Sequence, residues 1–280
     1  MNTLERGKHD EKRRYRRLSR ALIIPLFMAS GATALIYETV WARQLHLVFG
    51  TSQVAISTVL AAFMAGLSLG ALFASRWAVR TRRPIVWYAI LELAIGGYAM
   101  FFPWILERAQ PLYLGFWGMF EPSPLVFGTF QFVLVGFLLL PPTVCMGATL
   151  PLLVRFVVAQ PEDVGRQVGR LYAANTIGAV IGTGLAGFAL LPQLGVWATT
   201  YWAATSNLLL ALIALALAVV LGPVPSPETD ALSSLNPRDN AGLLMVHRHV
   251  FARGPLIIAG LAGFSSLLCE VAWFRLTALM

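Results

Sequence analysis

The stretch Gly31-Ala32-Thr33-Ala34-Leu35-Ile36-Tyr37-Glu38-Thr39-Val40-Trp41-Ala42-Arg43 returns in weaker form as Gly263-Phe264-Ser265-Ser266-Leu267-Leu268-Cys269-Glu270-Val271-Ala272-Trp273-Phe274-Arg275. Placing Glu38 on Glu270, an offset of 232 residues, also superposes Gly31 on Gly263, Leu35 on Leu267, Trp41 on Trp273, Arg43 on Arg275 and Leu47 on Leu279. These are six identities in 18 aligned positions, against about one or two by chance, and internal repeats come before any assignment of fold. Apolar helices that end in interfacial Trp and Arg resemble one another in any case. An acid three residues before the Trp is not something interfacial composition supplies. The expectation is a duplicated membrane unit of about 232 residues, with the chain stopping as its second copy begins, like a fragment or truncated reading frame.

Composition agrees with a membrane class. Soluble domains are about 45–50% apolar and about 25% charged, whereas this chain is 58% hydrophobic and 12% charged, with a mean hydropathy of +0.71. A net charge of +8 would point to nucleic acid if it lay on a soluble face. Most of the basic residues instead fall at the ends of apolar runs, where they act as topology signals, so nucleic acid is not expected as a partner and the lipid bilayer is. Cys145 and Cys269 both sit in apolar runs and read as small buried residues. His46, His247 and His249 have no second ligand at a metal spacing, so neither metal nor cofactor is expected.

Residues 1–20 hold eight Lys and Arg and form a basic arm suited to anionic headgroups. The uncharged run that follows, 21–37, is longer than the roughly 7–15 residues of a signal-peptide centre, so it is expected to stay as a membrane helix. Runs long enough to span, about 20 residues, lie near 21–43, 52–74, 85–103, 125–153, 171–191 and 196–221, with a seventh opening at Pro255. Alternate connections carry the basic residues. The arm, the second loop (Arg76, Arg80, Arg82, Arg83), the fourth (Arg155, Arg166, Arg170) and the sixth (Arg238, Arg248, Arg253) hold 18, against Arg43 and Arg108 on the other side. The positive-inside rule therefore puts the amino terminus in the cytoplasm.

Six helices per unit return the chain to its starting side, so the repeat is parallel, as in the two halves of major-facilitator transporters. The expected fold is an all-α polytopic membrane protein: a six-helix major-facilitator-like half bundle (21–221), a Pro- and Ser-rich cytoplasmic linker (222–254), and the first helix of a second parallel repeat (255–280). Gly66, Gly70 and Ala74, and again Ala174, Gly178, Gly182 and Ala186, recur every four residues and give small faces for close helix packing. The fourth run contains Pro141, Pro142 and Pro151 and is expected to tilt or break.

The chain resembles bacterial membrane proteins in which a major-facilitator-like bundle is fused to a spermidine synthase (polyamine aminopropyltransferase) domain. The resemblance rests on Ser30-Gly31 through Glu38-Thr39-Val40-Trp41-Ala42-Arg43, on Leu140-Pro141-Pro142-Thr143 with Met146-Gly147-Ala148-Thr149-Leu150-Pro151-Leu152, on Gly169-Arg170-Leu171-Tyr172-Ala173-Ala174-Asn175-Thr176-Ile177-Gly178-Ala179, and on Gly187-Phe188 to Leu191-Pro192. It implies a bacterial inner membrane location, a polyamine or similar cation as ligand, and a second half and synthase domain downstream. No Gly-rich, Asp-containing cofactor turn follows a strand pattern here, so no catalytic residue is carried over.

Ionisable side chains inside a membrane usually face the bundle interior and are functional candidates. The expected substrate-binding set is Glu38, Glu270, Trp41, Trp273 and Glu92. Glu38 and Glu270 stand at matching depth in the two repeats, and Glu38 reads either as an acid facing a central cavity or as an interfacial carboxylate beside a Trp41 belt. Glu92 lies nearer the inner face, either as a partner of Asn175 or a loop Arg, or as a proton-relay or cation site. The competing functions are a polyamine-handling membrane module, a non-transporting anchor for an aminopropyltransferase domain, and a fragment of an independent major-facilitator-like transporter.

Overall fold

A computed structural model describes residues 3–49, 53–120, 122–158 and 163–223. Among these there are helices and no strand: α1 (Thr3–Phe49), α2 (Gln53–Ala78), α3 (Pro84–Phe120), α4 (Pro124–Val157), α5 (Val164–Leu185) and α6 (Leu191–Leu221), with a π-helical turn at Ala186–Leu190 joining the last two. The seventh run, Glu270, Trp273, Cys269, His247, His249 and all but the first two residues of the 222–254 linker lie outside the described residues.

Five stretches are long and apolar enough to cross a membrane, the last being the 58 residues of Val164–Leu221. The chain is a membrane protein with a helical bundle. Its outward surface carries large apolar side chains that water would not tolerate in such number, among them Phe188 at 90%, Leu125 at 81% and Val219 at 80% exposed.

Among the described residues, hydropathy places the apolar runs but understates the helices. The basic arm is helical and continuous with α1, which has 47 residues. The third run was expected to stop at 103, yet α3 continues through Pro103 and Pro111 to Phe120 and leaves only 121–123 as a connection. A proline removes one helical hydrogen bond, and the bonds on either side of it carry the helix on. For the same reason α4 does not break, running 34 residues across Pro141, Pro142 and Pro151. The chain breaks instead at Gly195, whose φ of 76° no other residue adopts without strain. That position falls in the gap expected between the fifth and sixth runs.

Buried side chains form two clusters, and the order in which a helix visits them gives its direction, except for α2, whose direction follows from its parallel contacts with α4. Near one end lie Ile23 and Phe27 of α1, Ile85 and Ala89 of α3, Leu153 and Val157 of α4, Leu171 of α5, and Leu210 and Ala214 of α6. Near the other lie Ile36 and Leu45 of α1, Val59 and Phe63 of α2, Ile95 and Phe102 of α3, Val135 and Met146 of α4, Ala186, and Ala203 of α6. Each helix therefore runs opposite to the one before it. The small faces do what their spacing predicts: Gly66 and Gly70 meet Thr143 and Val144 of α4, and Gly178 and Gly182 meet the carbonyls of Met28 and Ala32 in α1. The result is α1 beside α5 and α2 beside α4 in parallel pairs, with α3 beside α6 antiparallel.

Candidate functional site

Glu92 is the one acid that the structure places wholly inside the bundle among the described residues, with no exposed surface. Such a group must find hydrogen bonds or lose several kcal/mol. It finds them from two other helices. Ser30 Oγ in α1 donates to Oε1 at 2.5 Å, and Asn207 Nδ2 in α6 donates to Oε2 at 2.6 Å. The expected partners, Asn175 or a loop arginine, are not the ones found, and among the described residues no basic side chain bonds Glu92. The Tyr88 hydroxyl, one turn back on α3, is buried beside Ser30 and Glu92 but makes no hydrogen bond of normal geometry.

The bond from Asn207 Nδ2 fixes the orientation of that amide. Its Oδ1 is then an acceptor, buried and without a partner among the described residues, on a side chain that is 1% exposed. Ser30 and Asn207 are also walls of a cavity of about 250 Å³, which receives Asn175 and Tyr172 from α5, Thr149 from α4 and Phe63 from α2. Glu92 therefore stands behind the wall, and its two hydrogen-bond donors stand in it. Most of the remaining lining is apolar, so the cavity offers a few fixed polar groups on a hydrophobic ground, the usual make-up of a small-molecule site.

Of the other expected site residues, the two that are described, Glu38 and Trp41, lie elsewhere. Glu38 is half-buried, eight residues and about 12 Å along α1 from Ser30, and does not line the cavity. The alternative that Trp41 belongs to an interfacial belt is overturned, because it is fully buried. It stacks on Tyr37 at 4.8 Å between ring centres and meets Phe102 at 4.7 Å. The indole Nε1 and the Tyr37 hydroxyl have no hydrogen-bond partner among the described residues. One turn on, Gln44 Nε2 donates to Thr200 Oγ1 at 3.2 Å, a second polar link between α1 and α6.

Ser30 and Asn207 were not among the expected site residues. The available signal was an amide in the apolar run Asn207-Leu208-Leu209-Leu210, since a polar side chain within a spanning helix tends to face inward and bond across helices. No family model matches the sequence, and no curated protein or solved structure matches it either.

Proposed function

We propose that the chain is the membrane module of a major-facilitator-like protein of the spermidine-synthase-fused kind. In this reading it crosses the bacterial inner membrane six times from a cytoplasmic amino terminus and holds a polyamine-type cation in its central cavity. The alternating helix directions and the break at Gly195 support six crossings, because 58 continuous residues would span about 87 Å against a hydrocarbon core of about 30 Å. The observation that carries the ligand is Glu92: a buried carboxylate with neutral donors and no basic partner among the described residues, directly behind a cavity wall. An ammonium group in the cavity supplies the missing charge, and Asn175 and Thr149 bring polar side chains to the same wall. A volume of about 250 Å³ is just below the usual range of about 300–1,000 Å³ and suits a slender aliphatic amine. Glu38 and its repeat counterpart Glu270 form the outer acids of this reading.

The complete burial of Glu92 favours one other reading, a non-transporting anchor for an aminopropyltransferase domain, in which the network only ties α1, α3 and α6 together. Calorimetry on the full-length protein in lipid nanodiscs separates the two. Putrescine or spermidine is expected to bind, and Glu92→Gln, which keeps the size and keeps both hydrogen bonds once Ser30 Oγ turns to accept from the new amide, is expected to weaken binding about tenfold through loss of the nearby negative charge, about 1.4 kcal/mol. Binding that is absent, or equal in the variant, selects the anchor.

A further inference from the structure

We infer that the end of the bundle where α3 begins holds a site for an acidic phospholipid, with the phosphate on Arg83 and an acyl chain in the groove between α3, α4 and α6. The groove is a cavity of about 410 Å³ and is separate from the Glu92 site. Its walls are Ile85 and Val86 in the first turn of α3, Phe156 in the last turn of α4, and Leu215 and Val219 in the last turns of α6. Arg83 stands at its mouth.

Three observations select this occupant. The first is charge. Arg76, Arg80, Arg82 and Arg83 fall within eight residues, and no acid occurs in the sequence between Glu38 and Glu92. The Arg83 side chain is exposed and has no hydrogen-bond or ion-pair partner among the described residues. A basic pocket at the mouth of a groove between membrane helices recruits anionic headgroups at about 1 kcal/mol per basic residue.

The second is depth. Trp77 at the end of α2 and Trp87 in the first turn of α3 meet edge to face at 4.3 Å and are 37% and 39% exposed. Tryptophans of this kind sit at headgroup level, and Arg83 lies between them in the chain. The third is the wall itself. Leu215 is 46% and Val219 80% exposed on an apolar helix, a surface that suits an acyl chain and offers a soluble anion nothing. The first turn of α3 adds the positive end of a long helix.

The test uses the full-length protein, exchanged into nanodiscs holding phosphatidylglycerol and phosphatidylcholine in equal proportion and released for native mass spectrometry. Phosphatidylglycerol is expected to be retained about fivefold over phosphatidylcholine, and Arg83→Ala to bring the ratio near unity. Leu215→Trp, which fills the groove and leaves Arg83 in place, is expected to abolish retention of both lipids. Equal retention of the two lipids by the unmodified protein overturns the proposal, as does a ratio unchanged in Arg83→Ala. Glycerol phosphate that displaces the retained lipid at low concentration would reveal a free-anion site and overturn it too.

Discussion

Pro142 has no N–H, so the carbonyl of Leu138, four residues back in α4, has lost its helical donor. An unbonded carbonyl in a membrane interior is costly. The Tyr98 hydroxyl of α3 donates to that oxygen at 2.7 Å and so satisfies one of the two carbonyls that the double proline leaves without a helical donor. Tyr98→Phe is expected to cost about 1 kcal/mol. In a Pro142→Ala background, where the alanine N–H can bond Leu138, the same change is expected to cost less than half as much. Denaturation of the four proteins in detergent completes the cycle, and equal costs in both backgrounds would show that Tyr98 does not serve the proline. The site was legible at this scale only in part. Glu92 shows itself because an acid in an apolar run is rare, but Ser30 and Asn207 depend on how α1 and α6 are rotated against α3, which no periodicity encodes. Trp41 misled for a related reason: it closes an apolar run, yet α1 continues about two turns beyond it to Phe49 and turns the indole inward.

Helix contacts at the scale of elements are set by where side chains are missing. A methyl group added at Gly178 would collide with the Met28 carbonyl of α1, while one added at Gly184 on the same helix would meet nothing within 4 Å. Gly178→Ala is therefore expected to destabilise the protein by about 1–3 kcal/mol through overpacking. Gly184→Ala is expected to be neutral or to stabilise by up to about 1 kcal/mol, because alanine forms helix better. Thermal melts in detergent compare them directly, and similar shifts for the two would remove Gly178 from the α1–α5 contact. The four-residue spacing of small residues made these contacts readable, and it also gave the face, though not the partner helix. Helix ends were less readable. Hydropathy reports the apolar part of a helix, while the helix continues until backbone geometry stops it, which is why α3 outruns its expected end by 17 residues.

The whole molecule follows from direction. Because each helix reverses the last, the Arg-rich connection 79–83, the end of α4 and the start of α5 share the end of the bundle at which α1 presents Ile23 and Phe27. The ends of α1 and α3 and the starts of α2 and α4, together with the turn at Gly195, share the other. The basic residues lie mostly at the first end, so that end is expected to be cytoplasmic. The last crossing depends on one feature, since the 58 residues of Val164–Leu221 are divided into two spans by the backbone break at Gly195. Cysteine labelling reads all of this at once. In a background with Cys145 and Cys269 replaced by alanine, Ser123→Cys and Leu194→Cys are expected to react with a membrane-impermeant maleimide in intact cells. Val79→Cys, which is exposed at the opposite end, is expected to react only after permeabilisation. A protected Ser123→Cys beside a labelled Val79→Cys inverts the orientation. A labelled Ser123→Cys with Leu194→Cys protected keeps the orientation and removes the sixth crossing, and with it the equal-sided half bundle on which a parallel second repeat depends.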